Sequence, residues 1–495
     1  MIVAGYALLP MQVSRYLRWP LALLLFAGGL VQFLDQAMRV FLGRPLNLLL
    51  DINLLPAGIE LLQGAVGPLL SGLLFLALGL VLLLLLLGCA RALRNLEVIS
   101  APRTALAIFG LVLAAGYLPD AQRAKLPISA HLTQSFTGQV ERMASVVRER
   151  PAFEAALERD PFSRAFPEDS FTALGEASVM VVFVESYGRQ ALEDPRYASH
   201  TKPALEKLHQ AAREKKLHSL SGWAKAPTIG GQSWLSHASF LSGLWIDNQI
   251  KYQLLSESKR RTLAQAFSET GRESHLVMPA ITRAWPEAGF MGFDRHVFAG
   301  DMNYAGEAYN WVTMPDQYTL SYFEREIRSK DTPFFAMLGL ISSHAPWTPI
   351  APVLEDWQSI GDGAVFSRWA DSGESPAELW QHPERVRKHY GLSIEYVLET
   401  LGSYIRNVPV EEDPLLMVVL GDHEAGAIVS GQDAPREVPV HLFATDTDLL
   451  RPFREAGFTK GTIPQESSTL FRMHDFRDFF IQNYRDKLAE TVSVN

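Results

Sequence analysis

Three stretches of this 495-residue chain end in side chains that could hold a cation or attack an electrophile. Gly421-Asp422-His423-Glu424 offers a carboxylate oxygen and an imidazole nitrogen side by side, directly after the apolar run 415–420. Val179-Met180-Val181-Val182-Phe183-Val184, six consecutive apolar residues, runs straight into Glu185-Ser186-Tyr187-Gly188. Ala226-Pro227-Thr228-Ile229-Gly230-Gly231-Gln232-Ser233-Trp234-Leu235-Ser236-His237 sets hydroxyls beside a glycine pair where a helix begins. Glu185, Ser233, Asp422 and His423 together form an oxygen and nitrogen ligand set without sulfur, which suits one Zn²⁺ or Mn²⁺ ion. A serine oxygen on such a cation loses its proton readily and becomes a nucleophile. Helix-start N–H groups beside it favour an anion.

Each of these residues also has an ordinary explanation. Glu185 could mark the solvated end of a core strand, and Ser233 could be a helix cap. His237, one turn on, is expected to pack or to make a structural hydrogen bond. Glu424 stands too close to Asp422 and His423 to join them as a ligand, so it is expected behind them or at the surface. His344, in Ser342-Ser343-His344-Ala345-Pro346-Trp347, could hold a phosphate or sulfate oxygen or protonate a leaving group; a loop histidine is the alternative. Arg283 and Trp285 offer a cation and an aromatic platform for a polar head group, although isolated loop residues of these types are common, and the same holds for Trp311 and Asp316.

The elements that must position these groups alternate between strand and helix, the signature of an α/β layer fold. Fully apolar strands suit a mostly parallel central sheet buried on both faces by helices, with ligands outside the carboxyl ends of its strands. Helical spacing covers 203–216, 233–241, 316–327, 383–405 and 475–484; further strands fall at 274–279, 333–343, 414–420 and 438–444.

The amino-terminal part is a different material. Val66 to Cys89 carries no charge and is long enough to span a bilayer. Trp19–Leu34 and Thr104–Leu118 reach spanning length with small extensions, while the segment from Pro45 to Pro56 reads as interfacial or packed between spans. Three crossings, with Arg15, Arg18, Arg91, Arg94 and Arg103 on the cytoplasmic side, put the rest of the chain outside the inner membrane. Residues 1–120 are thus expected as a transmembrane region and 121–173 as a connector broken into short helices by Pro151, Pro161 and Pro167. Residues 174–495 are expected as the globular domain. A formal net charge of −9 without a basic stripe argues against nucleic acid. The single cysteine excludes internal disulfides and cysteine-rich metal sites.

Phe-Val-Glu-Ser-Tyr-Gly, the glycine-led hydroxyl helix, Ser-His-Ala-Pro-Trp and Gly-Asp-His, in that order, resemble the sulfatase branch of the alkaline phosphatase superfamily over roughly Ser178 to Phe480. With apolar spans in front, the chain is most similar to the lipoteichoic acid synthase and phosphoethanolamine transferase group. That resemblance implies an alkaline-phosphatase-like α/β domain. It also implies metal ligands at Glu185, Asp422 and His423, with Ser233 as nucleophile and ligand where the group usually has threonine. His344 would contact the transferred group and Trp285 the head group. Formylglycine sulfatases need Cys or Ser followed by x-Pro-x-Arg, whereas Trp234-Leu235-Ser236-His237 follow Ser233, so a formylglycine route is not expected. The cysteines of phosphoethanolamine transferase ectodomains are missing, which leaves the synthase comparison ahead. The activity implied is transfer of a phosphoglycerol- or phosphoethanolamine-type head group from a phospholipid donor to an envelope glycan or lipid acceptor, through a covalent serine intermediate. Hydrolysis of a phosphate or sulfate ester is the alternative. A membrane sensor or scaffold with an inactive site is the reading from another class.

Overall fold

The computed structural model describes residues 6, 11–42, 44–52, 55, 58–59, 62–63, 67–98, 131–167, 169–328, 332–407, 414–466, 468 and 470–485. The chain divides into two compact units, Met1–Arg39 with Pro45–Glu149, and Val40–Arg44 with Arg150–Asn495.

In the first unit, helix α1 (Met11–Leu42) contains the expected span Trp19–Leu34, and α2 (Pro68–Val98) covers the expected span Val66–Cys89 from Pro68 on. Their segments Gln12–Val40 and Pro68–Asn95 are long and apolar enough to cross a membrane. The latter has 28 residues; at 1.5 Å per residue it extends about 42 Å, more than a hydrocarbon layer of about 30 Å. The expected third span, Thr104–Leu118, lies outside the described residues. A carboxylate escaped the sequence reading: Asp35 is buried within α1, where its Oδ1 accepts the Leu46 N–H at 2.9 Å and an Arg142 N–H at 3.4 Å. Arg142 also donates to the Leu46 carbonyl at 2.8 Å, so the 45–51 segment is tied to Asp35 and Arg142 by hydrogen bonds.

The connector differs from expectation. His131–Glu158 is one continuous helix, α3, with Pro151 inside it. Proline removes a single hydrogen bond, and the flanking helix formers keep the rest.

In the second unit, strands β1 (Ser178–Val184), β2 (His218–Lys225), β3 (Glu273–Met278), β4 (Arg295–Phe298), β5 (Phe334–Leu340), β6 (Leu415–Gly421), β7 (Glu437–Ala444), β8 (Thr459–Lys460) and β9 (Leu470–Arg472) form one mixed sheet. Its order is β4-β3-β5-β1-β6-β7-β2-β8, with β9 on β2. The strands from β4 through β6 run parallel, whereas β7 is antiparallel to both β6 and β2. Alternate residues of β1 serve two cores. Met180, Val182 and Val184 face one apolar cluster, and Val179, Val181 and Phe183 the other. That explains an uninterrupted apolar strand, because each face is covered by helices.

The helices flanking the sheet include α4 (Pro195–Glu214), α5 (Ser233–Ser242), α6 (Asp316–Glu326), α7 (Pro383–Asn407) and α8 (Asp475–Asn483). Helix α4 starts eight residues before the expected Pro203 because the Asp194 side chain accepts the Arg196 N–H and Pro195 fits the first turn. Strands β2, β4, β8 and β9 were not anticipated. In β2, His-Ser-Leu-Ser-Gly-Trp-Ala-Lys is too polar for a buried-strand pattern, and pairing with β7 fixes it.

Candidate active site

The site grows out of strand register. Val184 pairs with Leu340 of β5 on one side and with Gly421 of β6 on the other. The next residues, Glu185, Ile341 and Asp422, therefore leave the sheet together at the carboxyl ends of three adjacent parallel strands, which lie about 4.8 Å apart. Ligand-type atoms of Glu185, Asp422 and His423 all lie within 4.8 Å of one another.

Ser233 joins them from α5. Gln232, in the left-handed region at φ 66°, is the cap residue and makes no side-chain cap bond. Ser233 is the first helical residue and does not cap. Its Oγ stands 3.1 Å from Glu185 Oε2 and 3.3 Å from His423 Nε2. Ser236, one turn on, fixes the helix to the cluster through a 2.6 Å bond to the Asp422 carbonyl.

Hydrogen bonds decide which atoms remain free. Asp422 Oδ1 accepts the Ser186 and His423 N–H groups at 2.8 and 2.7 Å, which leaves Oδ2 for a cation. His423 Nδ1 donates to the Glu424 carbonyl at 2.9 Å, so Nε2 is the nitrogen turned towards the cluster. Glu424 itself is not at the surface. It is fully buried and accepts the Gln190 and Ala425 N–H groups at 2.9 and 3.0 Å. Burial pushes its carboxyl up to about 7.

The three ionisable groups act strongly on one another. Burial opposes ionisation of Glu185, but the neighbouring His423 outweighs it and holds that carboxyl well below the usual range. Burial, then the Glu185 charge, pushes Asp422 up to about 8. Against its own burial, Asp422 and Glu185 raise His423 to about 10. The donor set of two carboxylates, one imidazole nitrogen and one hydroxyl fits a divalent ion of the Mn²⁺ or Zn²⁺ type, which would take the place of the protons held here.

A cavity of about 280 Å³ opens beside Ser233, with Glu185 and Asp422 also at its edge. His344 lines it and is exposed, and its Nδ1 bonds the Ala345 carbonyl, so Nε2 is available to a ligand. Trp285 lines it and is half-buried. Arg283 is exposed and is not among the lining residues. Two residues weighed only lightly in the sequence take defined places. Asp316, fully buried, accepts the Ile341 and Ser342 N–H groups at 2.7 and 3.0 Å and so holds the loop that leads to His344. His237 packs on Phe183 with ring centroids 4.5 Å apart and also lines the cavity. Burial pushes its imidazole down to about 4, which keeps it neutral. Ser236 escaped sequence reading, since nothing local marks a serine that bonds a carbonyl from a distant strand.

The Sulfatase family model matches residues 178–448, more than half of the chain. No curated protein matches it. Among solved structures, a lipoteichoic acid synthase of Listeria monocytogenes is similar at 11% identity and TM-score 0.39, covering 63% of this chain and 72% of its own. A phosphoglycerol transferase of Streptococcus pyogenes, in complex with sn-glycerol-1-phosphate, is similar at 14% identity and TM-score 0.42, with 67% and 78% covered. The integral membrane lipooligosaccharide phosphoethanolamine transferase A of Neisseria meningitidis is similar at 13% identity and TM-score 0.43, with 82% and 71% covered.

Proposed function

Since the chain belongs to the sulfatase family, and is an enzyme of the alkaline phosphatase superfamily, we propose that it is a membrane-anchored, metal-dependent phosphotransferase. It moves a phosphoglycerol- or phosphoethanolamine-type head group from a phospholipid to an envelope glycan or lipid. Residues 174–495 form the catalytic domain, on the periplasmic or extracellular side of the inner membrane; 1–120 anchor it and 121–173 connect the two. Glu185, Asp422, His423 and Ser233 hold one divalent ion, Mn²⁺ or Zn²⁺. When bound, that ion neutralises the carboxylates and lowers the pKa of the serine hydroxyl.

The side chains then act as follows. Ser233 Oγ, its pKa lowered in that site, gives its proton to solvent and attacks phosphorus, while Glu185 Oε2 at 3.1 Å stays ionised and orients it. A phosphorus–serine bond forms as the bond to the diacylglycerol oxygen breaks. His344 supplies a proton to that departing oxygen, or holds a non-bridging one. The N–H groups at the start of α5, which no side chain caps, face the added negative charge. An acceptor hydroxyl, giving its proton to the His344 imidazole left neutral by the first step, then displaces the Ser233 oxygen from phosphorus and carries the head group away. Trp285 contributes the aromatic face against the organic group, and Arg283, exposed and outside the cavity lining, takes no part in this step.

One observation carries the reading: the in-register ends of β1 and β6 gather three ligand atoms within 4.8 Å, with a helix-start hydroxyl 3.1 Å from the first of them. The test is incubation of the full chain with labelled phospholipid, with and without metal. Diacylglycerol together with a labelled acceptor, lost on chelation and restored by Mn²⁺ or Zn²⁺, is the expected outcome. Release of free head-group phosphate without a labelled acceptor would make the enzyme a hydrolase. Metal-independent turnover would overturn the assignment.

A further inference from the structure

Helix α5, which begins with Ser233, is held at both ends. Near its start the Ser236 hydroxyl bonds the Asp422 carbonyl at 2.6 Å. At its end the Ser242 carbonyl accepts the Arg260 Nε–H at 2.9 Å. Gly243 follows in the left-handed region at φ 70°, and a Cβ added there would lie 3.1 Å from Arg477 Cδ and 3.3 Å from Arg260 Nη2. Two guanidinium groups thus stand at the negative end of the helix dipole. Both belong to buried residues.

Their counter-charge comes from the expected connector, residues 121–173. Asp160, just beyond the end of α3, is buried and takes Arg477 Nη2 on both carboxylate oxygens at 2.9 Å. It also accepts the Phe162 N–H at 3.0 Å and the Arg261 N–H at 3.3 Å. Arg260 Nη1 stands 3.6 Å from Asp160 Oδ1 and makes no hydrogen bond, so charge alone holds it there. The other acid in contact, Asp478, accepts from Arg477 Nη1 at 3.0 Å and is partly exposed. Phe153 of the connector packs in one cluster with Leu235 and Ala238 of α5. Residues from Arg150 onward belong to the same compact unit as α5.

We propose that Asp160 is a positioning residue for the reaction: by neutralising Arg260 and Arg477 it keeps them on the carboxyl end of α5, and that second anchor sets where Ser233 stands against Glu185 and His423. The inference rests on the reading of Ser233 as nucleophile. A helix pinned at Ser236 alone can tilt about that point. Ser242 lies about 9 Å beyond this pivot and Ser233 about 4.5 Å before it, at 1.5 Å per residue. A shift of about 1 Å at the far end therefore moves the Ser233 end by roughly half an ångström, the tolerance of a reacting group. Without Asp160, two buried cations share one partly exposed acid, and a buried charge left unpaired is costly. Arg260, which has no hydrogen bond to tie its Nη1, is the group released, and the Ser242 carbonyl loses its donor.

The test uses the full chain in detergent micelles with Mn²⁺, turning over bis(4-nitrophenyl) phosphate well below each variant's melting temperature. Asp160→Asn keeps the shape and removes the charge. Its kcat per folded molecule is expected to fall about tenfold or more, up to about 10²-fold, with KM within about twofold. Arg260→Met, which leaves the Asp160–Arg477 pair intact, should fall by a similar factor, and the double variant by no more than either alone. Arg260→Lys keeps a cation in reach of the Ser242 carbonyl and should restore most of kcat. Leu208→Ala, in the core on the other face of the sheet, lowers the melting temperature and should leave kcat per folded molecule unchanged. An unchanged kcat in either Asp160→Asn or Arg260→Met overturns the inference. So does an equal loss in Leu208→Ala, or a loss in Arg260→Met that Arg260→Lys does not repair. Should Asp160→Asn not fold, the two Arg260 variants decide. Ser233→Ala separates the two levels. If it abolishes turnover while Asp160→Asn and Arg260→Met keep theirs, only the inference fails. If Ser233→Ala keeps turnover, the nucleophile reading fails and the inference falls with it.

Discussion

The two sides of the cavity are built by opposite means. The ligand side is pinned by hydrogen bonds from residues remote in sequence. Ser186 donates to Asp422, Ser236 to the Asp422 carbonyl, Ser343 to the Glu185 carbonyl at 2.6 Å, and Tyr390 to the Ser186 carbonyl at 2.8 Å. The facing wall is apolar surface from the ends of β1, β3 and β5 and the 281–285 loop, shaped by packing and offering few polar atoms. Groups that hold a cation must stand within a few tenths of an ångström of their place, and directional bonds provide that. A wall that receives an organic group needs shape and dryness, which side-chain packing supplies.

Substitutions on the two sides should therefore fail differently. The largest effect belongs to Ser233→Ala, for which phosphodiester turnover should fall on the order of 10⁴-fold, with no covalent phosphoprotein recovered after acid quench. Retention of turnover would remove Ser233 as nucleophile. Next is Gly421→Ala. A methyl group there runs into the Tyr187 carbonyl oxygen, so the strand end and the Ser186 loop cannot both keep their places. A loss of about 3 kcal/mol in unfolding free energy is expected, together with weaker metal binding by calorimetry. Gly289→Ala, whose added carbon meets nothing within 4 Å, serves as the control with little change. On the opposite wall, Trp285→Ala should raise KM about tenfold and leave kcat nearly unchanged, since it removes binding surface that substrate and transition state share. An equal fall in kcat would put Trp285 among the groups that act on the transition state.

The smallest effect is a change of slope. Burial raises the Asp316 carboxyl from 3.8 to about 7. Between those values the folded protein keeps a proton that the unfolded chain has released, so stability declines as pH rises through that window. The decline is at most about 1.4 kcal/mol per pH unit for one group. Asp316→Asn keeps the oxygen that accepts from Ile341 and Ser342 and should flatten that part of the thermal-stability profile. An unchanged slope would assign the dependence to another group.

Much of this was legible in the chain. Six apolar residues before Glu185 and a similar run before Asp422 suit strands covered on both faces, and ligand-type residues at the ends of such strands fall at one edge of a parallel sheet. The second apolar helix of the first unit was equally plain, because a stretch of that length without charge has few alternatives, whereas Trp19–Leu34 reached spanning length only with an extension. The connector was misread because Pro151 was treated as a break, although the structure carries it within one helix. Glu424 was given a surface alternative because adjacent residues in sequence say nothing about depth; the Gln190 and Ala425 N–H groups that hold it inside come from the fold.

By itself, then, the sequence determined the kinds of element and the chemical character of their ends, since periodicity and side-chain type are local properties. The register of β1 against β5 and β6, the turn that makes Ser233 the first residue of α5 instead of its cap, and the neighbours of His237 were decided by tertiary structure alone. Those are contacts between segments separated by long stretches of chain, and no local pattern of residues encodes a distance across a fold.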